Sequence, residues 1–289
     1  MSCRLAWHLG YREGWRPIAS AVALEFGTAI HRALEEYYAG RGDLVDVFVS
    51  VWDARRDDLD PTEYRDHRDL GIAMLRGYRE TYKNRDNFEV LATEHVLRRP
   101  LPAPSGRRTA CILNARLDGL VRSYEDGNLY VLEHKTFQRF DPSWLELDHQ
   151  MSAQVWLGQA LADDLGLEGE HVVGVIWNGL RKQRPGPRVR SRLFERHVVS
   201  RTKRHIEVFL TRAYGQYREL IATRGREVLI YPQPAQVRCA MCDFREVCRV
   251  YQSGGDWEFI LRTSYHRRKQ YEQDGRGGGN ISGDTQTGG

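Results

Sequence analysis

The residues best equipped for chemistry lie between Asp118 and Lys135. An apolar run ending Leu117-Asp118-Gly119-Leu120-Val121 precedes a polar turn, and Leu129-Tyr130-Val131-Leu132-Glu133-His134-Lys135-Thr136 follows it. Carboxylates and ammonium groups are rarely buried among apolar strand residues unless they are paired or hold a metal. On neighbouring strands, carboxylates at diagonal positions stand roughly 7–8 Å apart, close enough to grip one hard cation from both sides. Mg²⁺ suits such a site, because it takes one or two carboxylates and fills its shell with water and substrate phosphate oxygens. Lys135 would then touch the same phosphate or orient the attacking water. An ordinary salt-bridged strand end uses the same three residues, and the motif alone leaves both readings open.

Lysine usage makes Lys135 less ordinary. Of 43 basic residues only five are lysine (Lys83, Lys135, Lys182, Lys203 and Lys269), and the rest are arginine. A solvated cation in this chain is nearly always arginine, whereas a compact catalytic centre favours the small point charge of an ammonium.

The element that must position these groups reads as a β-hairpin. Asp126-Gly127 is a strong tight-turn dipeptide. With those two residues as the loop, Glu125 faces Asn128, Asp118 falls opposite Lys135, and Glu133 is the diagonal neighbour of Asp118 on the same face. A slip of one residue would separate the group.

Composition bounds the rest. A chain of 289 residues with 41% hydrophobic and 28% charged content is an ordinary globular protein with one substantial core. A net charge of +4 excludes a generic polycation, so any nucleic-acid surface must come from clustering. No apolar run reaches membrane-spanning length and no signal-peptide core opens the chain, which points to the cytoplasm and no membrane partner. The five cysteines, Cys3, Cys111, Cys239, Cys242 and Cys248, are too few and too odd in number for a disulfide framework. C-x2-C-x5-C at Cys239, Cys242 and Cys248 is instead a metal signature lacking one ligand, with Zn²⁺ and an iron–sulfur cluster both open. Cys3 is the natural fourth, and Cys111 reads as a core residue.

The remaining elements follow in order. Trp7, Tyr11 and Trp15 recur at helical spacing. Ile30, Leu34, Tyr37 and Tyr38 stripe a helix that carries His31 beside the stripe and Glu35 one turn on. Helices are predicted over 43–59 and 61–84, a strand over 88–98 that includes Glu94, and a loop over 101–108. A helix over 148–165 bears Gln150, Gln154 and Gln159 among Ala, Leu and Trp. Gln150 could reach a nucleotide or a metal-bound water. Residues 171–180 form an apolar strand. The segment Arg181–Arg192, with Arg181, Lys182, Arg184, Arg188, Arg190 and Arg192 and no acid, suits either a phosphate backbone or a solvated hairpin. A strand over 194–199 and a helix over 201–224 come next. The domain is expected to span 1–272, with a helical part at 1–85, a core at 86–225, a cysteine segment at 231–272, and a disordered Gly/Ser-rich tail at 273–289.

Taken in order, these motifs resemble the PD-(D/E)XK nuclease superfamily, in particular its RecB-like branch with an iron–sulfur cluster, which includes CRISPR-associated exonucleases and the nuclease domains of bacterial helicase–nuclease complexes. The resemblance covers residues 3–251. Gly27-x3-His31-x3-Glu35 matches the branch's helical histidine motif, Asp118-Gly119 its first metal aspartate, and Glu133-His134-Lys135 its E-x-K. Gln150 matches the glutamine of its Q-x3-Y motif, and Cys3 with the C-x2-C-x5-C run matches its split cluster. Gln154 stands where the branch usually has tyrosine, which puts the DNA contact expected there in question. No helicase motif is present.

The resemblance implies an α/β restriction-endonuclease-like core, a central mixed sheet flanked by helices, with a helical N-terminal part and a C-terminal iron–sulfur segment. It implies that His31, Asp118, Glu133 and the His134 carbonyl hold Mg²⁺ or Mn²⁺, that Lys135 orients the water or stabilises charge on the phosphate, and that Gln150 supports catalysis. Cys3, Cys239, Cys242 and Cys248 would hold a 4Fe–4S cluster, with Zn²⁺ as the alternative. DNA contacts would come from Arg181, Lys182, Arg184, Arg188, Arg190 and Gln154. The implied activity is a DNA exonuclease on single strands or ends in recombination, replication or repair, in a bacterial or phage-infected cell, with a helicase, recombinase or single-strand-binding protein as partner. The competing function is a non-catalytic nucleic-acid-binding or assembly factor that keeps the fold.

Overall fold

The computed structural model describes residues 3–18, 22–83, 85–186, 192–224 and 229–268. The chain opens with α1 (Arg4–Trp7), a π-helical turn (His8–Arg12) and β1 (Trp15–Pro17). Trp15 therefore lies in a strand rather than on a helix face with Trp7 and Tyr11, because Gly14 at φ +79° ends the helical path first. Helices α2 (Val22–Tyr38), α3 (Leu44–Asp53) and α4 (Pro61–Tyr82) follow. Asp43 and Asp60 cap the second and third of these through the N–H groups of Val45 and Asp46 and of Thr62 and Glu63. The helix predicted over 43–59 stops at Asp53 and resumes only as a 3₁₀ turn at Arg56–Asp58.

Strands β2 (Phe88–Pro102), β3 (Arg108–Ser123) and β4 (Leu129–Phe137) come next, so the loop predicted over 101–108 shrinks to residues 103–107. Then come α5 (His149–Asp164), β5 (Val172–Arg181), β6 (Phe194–Ser200) and α6 (Lys203–Arg224). The chain continues through α7 (Gln236–Ala240), α8 (Arg245–Gln252), α9 (Trp257–Ser264) and β7 (Tyr265–Arg267). Two compact units result: Ala21–Arg218, and Met1–Ser20 with Glu219–Gly289.

In the larger unit one sheet runs β2-β3-β4-β5-β6, parallel between β4 and β5 and antiparallel elsewhere. Met151, Val155 and Leu161 of α5 pack on one face against Leu117, Leu120, Val131 and Val175. Gly158 permits that approach, since a Cβ there would stand 2.6 Å from Val131 Cγ2. On the other face Tyr38 of α2 packs near Phe88, Tyr130, Leu132 and Ile176. Behind it, Phe26, Ile30, Leu34, Phe48, Trp52 and Met74 of α2–α4 form a second core. This is the mixed sheet flanked by helices that the sequence implied. In the smaller unit β1 pairs with β7, and Leu5, Leu9, Phe244, Val247 and Leu261 form the core.

The hairpin register differs from expectation. Arg122 pairs with Leu129 and Gly119 with Leu132. Ser123 N–H donates to the Asn128 carbonyl and Gly127 N–H to the Ser123 carbonyl, so the loop is Tyr124–Gly127 rather than Asp126-Gly127 alone. A two-residue type I′ turn needs positive φ at both centres, and here only Gly127 has it. The Asp126 carboxylate instead accepts from Asn128 and Tyr130, which holds the wider loop. The register moves by two residues, so one step beyond the last pair Asp118 stands opposite Glu133 instead of Lys135. An even shift preserves the faces of a strand, and the cluster survives it.

At Asp118 the strand itself changes. Leu117 and Leu120, three residues apart, are both buried against α5, so side-chain alternation breaks between them. Across from Asp118, between the pairs Thr93–Gly119 and His95–Leu117, lies Glu94 with φ +35°. Among the described residues it is the one non-glycine with positive φ, a conformation that persists only where its surroundings hold it.

Candidate active site

Asp118 emerges at this break, facing α2. Its Oδ1 lies 3.4 Å from His31 Nδ1, and its Oδ2 accepts the His134 N–H at 2.8 Å. Burial alone would raise its carboxyl. The hydrogen bond and charge of His31, with His134 beside it, outweigh that and hold it at about 2. Asp118 is therefore ionised at neutral pH.

Glu133 has the opposite environment. It is 3% exposed. One oxygen accepts from Gln150 Nε2 at 2.8 Å and pairs with Lys135 Nζ, and the other accepts from Gln154 Nε2. Burial, and then the charge of Asp118, push its carboxyl upward against the pull of Lys135. Two neighbouring carboxylates, one held ionised by His31 and one pushed upward by burial and by the first, form a site that a divalent cation suits. The side-chain donors at hand fit a divalent cation: two carboxylates and the His31 imidazole. Among the described residues, however, no three or more His, Cys, Asp and Glu side chains converge as a ready metal cage. Asp118 is turned to His31 and His134, while Glu133 is held by amides and Lys135.

The site has a built floor. His134 is buried and stacks on Tyr38, with ring centroids 5.5 Å apart. Asn178, fully buried on β5, donates to His134 Nδ1 at 2.8 Å and to Tyr78 Oη at 2.9 Å. Arg196 on β6 donates to Asn178 Oδ1, Tyr38 Oη and Tyr78 Oη, and pairs with Asp86. Burial lowers the His134 imidazole to about 3, so the ring is neutral with its proton on Nε2. From the sequence, Asn178 and Arg196 carry no visible role, and Tyr78 reads only as part of the buried stripe of α4. An Asn inside an otherwise apolar strand was the available signal, because a buried amide requires partners.

Several expected residues are placed differently. Gln154 is 4% exposed and holds Glu133, so its amide serves the carboxylate and not an outer DNA surface; its Oε1 is buried with no hydrogen-bond partner. Glu35 does not orient His31; Arg32 and Arg41 hold it. Glu94 is not an exposed strand acid but a half-buried one, raised to about 7 by burial and then by hydrogen bonding with Glu35, and paired with Arg116. Arg181 is occupied by the carbonyls of Arg192 and Gln138 and by the Phe137 ring. Lys182 Nζ donates to the Ala23 carbonyl over the Phe26 ring, and burial lowers it. Arg184 stays largely exposed, 3.8 Å from Asp69. Arg188 and Arg190 lie outside the described residues, as does the 273–289 tail.

In the smaller unit Cys3, Cys239, Cys242 and Cys248 line one pocket of about 890 Å³, and none forms a disulfide. Backbone N–H groups of Gln233 and Ala235 point at Cys3 Sγ and Cys239 Sγ at 3.4 and 3.3 Å. Burial raises the thiols of Cys242 and Cys248, and the other cysteines of the group add to the rise. Cys111 lies on β3 in the larger unit and is partly exposed rather than a core residue.

A sequence profile of the PD-(D/E)XK nuclease superfamily matches residues 1–249 of this chain. Comparison with curated proteins gave no match.

Proposed function

The chain belongs to the PD-(D/E)XK nuclease superfamily, and from that premise we propose a Mg²⁺- or Mn²⁺-dependent DNA exonuclease acting on single strands or ends. The supporting observation is the Asp118–Glu133 pair in opposed environments with Lys135 beside it. The cation would be held by Asp118, Glu133, His31 and the His134 carbonyl. Once bound, it supplies Lewis-acid activation of the phosphodiester and neutralises charge on the leaving oxygen. The side chains supply the rest. The His134 N–H and His31 aim Asp118, while Gln150 and Gln154 fix Glu133 from α5. Lys135 releases Glu133 to donate to the incoming water or to a non-bridging phosphate oxygen, where negative charge grows. The complete set of charged groups favours an enzyme over a binding factor that keeps only the fold.

For the cysteine pocket we propose a structural 4Fe–4S cluster on Cys3, Cys239, Cys242 and Cys248, tying the N-terminal segment to the C-terminal one within the smaller unit. The donor set fits: four thiols border one pocket, and backbone N–H groups face two sulfurs, contacts of the kind that tune a cluster's potential. Zn²⁺ is the alternative occupant of the same four thiols, and iron analysis with absorbance near 400 nm separates the two.

The test is digestion of single-stranded DNA labelled at either end or internally, in Mg²⁺, Mn²⁺ or chelator. Metal-dependent release of mononucleotides from one end, lost in Lys135→Ala, is expected. Digestion unchanged in Lys135→Ala, or independent of divalent cations, would overturn the proposal.

A further inference from the structure

The β2–β3 hairpin runs past the site as a ribbon with one bare face. Along β3, residues 108, 110, 112, 114 and 116 are exposed and alternate with more buried ones, in step with Asp118. Across from them Val96 pairs with Arg116, Arg98 with Asn114, and Pro100 with Ile112. The opposite face is anchored: Leu97 and Leu117 enter the α5 core, and Arg99 binds Asp164 and the Ala160 carbonyl on α5. Among the described residues this face has a fixed backbone and exposed side chains.

Its chemistry is one-sided. Arg98, Arg108 and Arg116 stand on it, and between the Glu94–Asp118 position and the ribbon tip it carries no carboxylate. Val96 and Ile112, which are normally core residues, are 59% and 45% exposed there. Arg116 is braced toward the site by Glu94, at the strained position opposite Asp118. Apolar surface between guanidinium groups matches a nucleic-acid strand, whose phosphates meet the cations while sugars and bases lie on the aliphatic groups. From Asp118 to Arg108 the strand extends about 33 Å, the length of several nucleotides.

We propose that this face is the track along which a single DNA strand lies as its end enters the Asp118–Glu133 site. The proposal rests on the nuclease reading above and adds the path of the substrate. It adds the ribbon arginines to the cationic contacts expected of Arg181 and Lys182, which bind groups within the fold.

The experiment measures anisotropy of a fluorescein-labelled oligothymidine strand in chelator across a salt series. In parallel it follows metal-dependent hydrolysis of the p-nitrophenyl ester of thymidine monophosphate, which is too short to reach the ribbon. Arg98→Ser with Arg108→Ser should weaken strand binding at least tenfold and flatten the log–log salt slope by about 1.4, at about 0.7 per lost phosphate contact. Ester turnover should not change. Val96→Glu should weaken binding as strongly, and Arg204→Ser, on exposed α6, should leave it alone. Unchanged affinity and slope in the double variant, with wild type still binding and cutting, would overturn the track and leave the nuclease reading intact. Equal loss in Arg204→Ser would overturn it as mere bulk charge. A wild type that neither binds the strand nor turns over the ester would sink both.

Discussion

Replacing Asn178 with Leu tests the floor of the site quantitatively. Asn178 is fully buried and makes three hydrogen bonds, to His134 Nδ1, Tyr78 Oη and Arg196 Nε, at 2.8, 2.9 and 3.0 Å. Leu has nearly the same volume, so the cavity cost is small. The losses differ in kind. Tyr78 keeps Tyr38 and Arg196, and Arg196 keeps both tyrosines and Asp86. His134 Nδ1 loses its donor in a buried site. An orphaned buried polar atom costs about 1–3 kcal/mol and each of the two replaceable bonds about 0.5–1.5 kcal/mol, giving a total near 4 kcal/mol. At about 2–4 °C per kcal/mol for a unit of this size, the melting temperature falls by roughly 8–16 °C. Tryptophan fluorescence during thermal and urea unfolding reads this directly, since buried Trp177 adjoins Asn178. Asn178→Asp is the companion. A carboxylate cannot donate, so the His134 ring must take a proton on Nδ1, and its pKa, about 3 in the native fold, rises. Histidine proton NMR follows that shift. A Leu variant melting within about 2 °C of wild type, with no histidine change in the Asp variant, would refute the network as the support of His134.

Other outcomes follow from the same geometry. Gln154→Leu removes the donor to the buried Glu133 Oε2 and should cost about 1–3 kcal/mol of stability, partly offset because its own Oε1 is already unpartnered. The Glu133 carboxyl then rises further, and the acid limb of the pH–rate profile moves to higher pH with kcat reduced about tenfold. Asp118 sits at about 2 against an ordinary 3.8, so it contributes about 2 kcal/mol above pH 4 that disappears as pH falls through 2; Asp118→Asn should lack this slope in acid unfolding curves. Glu94 is displaced the other way, to about 7, so its contribution is full below the ordinary carboxylate range and declines as pH rises through 7. Glu94→Gln should flatten the fall of melting temperature between pH 5 and 7. Cys3→Ser should lower iron content, measured with absorbance near 400 nm on anaerobically purified protein, as far as Cys242→Ser does; equal iron in wild type and Cys3→Ser would place the fourth ligand elsewhere.

What the sequence made legible followed chemical type and periodicity. The apolar runs around Asp118 and Glu133, with acids that strands do not bury unaided, marked the cluster, and the helical stripe of Ile30 and Leu34 put His31 on its rim. The hairpin register was not legible: the choice between a two-residue and a four-residue loop turns on Asp126 hydrogen bonds that no dipeptide rule carries. The break at Leu117–Leu120 and the strained Glu94 were also hidden, since both arise where paired strands diverge. Charge patterning alone does not decide the roles of Arg181 and Lys182, because clustering in sequence does not show which cations the fold uses internally. Gln154 reads as a DNA contact only from its place in a motif, although a glutamine one turn from Gln150 on an Ala- and Leu-rich face is equally suited to hold a buried acid.

The central claim is that Asp118, Glu133, His31 and Lys135 serve one cation at which a phosphodiester is cut. The most direct measurement is Mn²⁺ binding by calorimetry together with single-turnover DNA cleavage on the same samples of wild type, Asp118→Asn and Glu133→Gln. The account predicts a site in wild type that is weakened at least tenfold in both variants, and cleavage that falls by at least a hundredfold with it. Undiminished Mn²⁺ affinity and cleavage in either folded variant would contradict it.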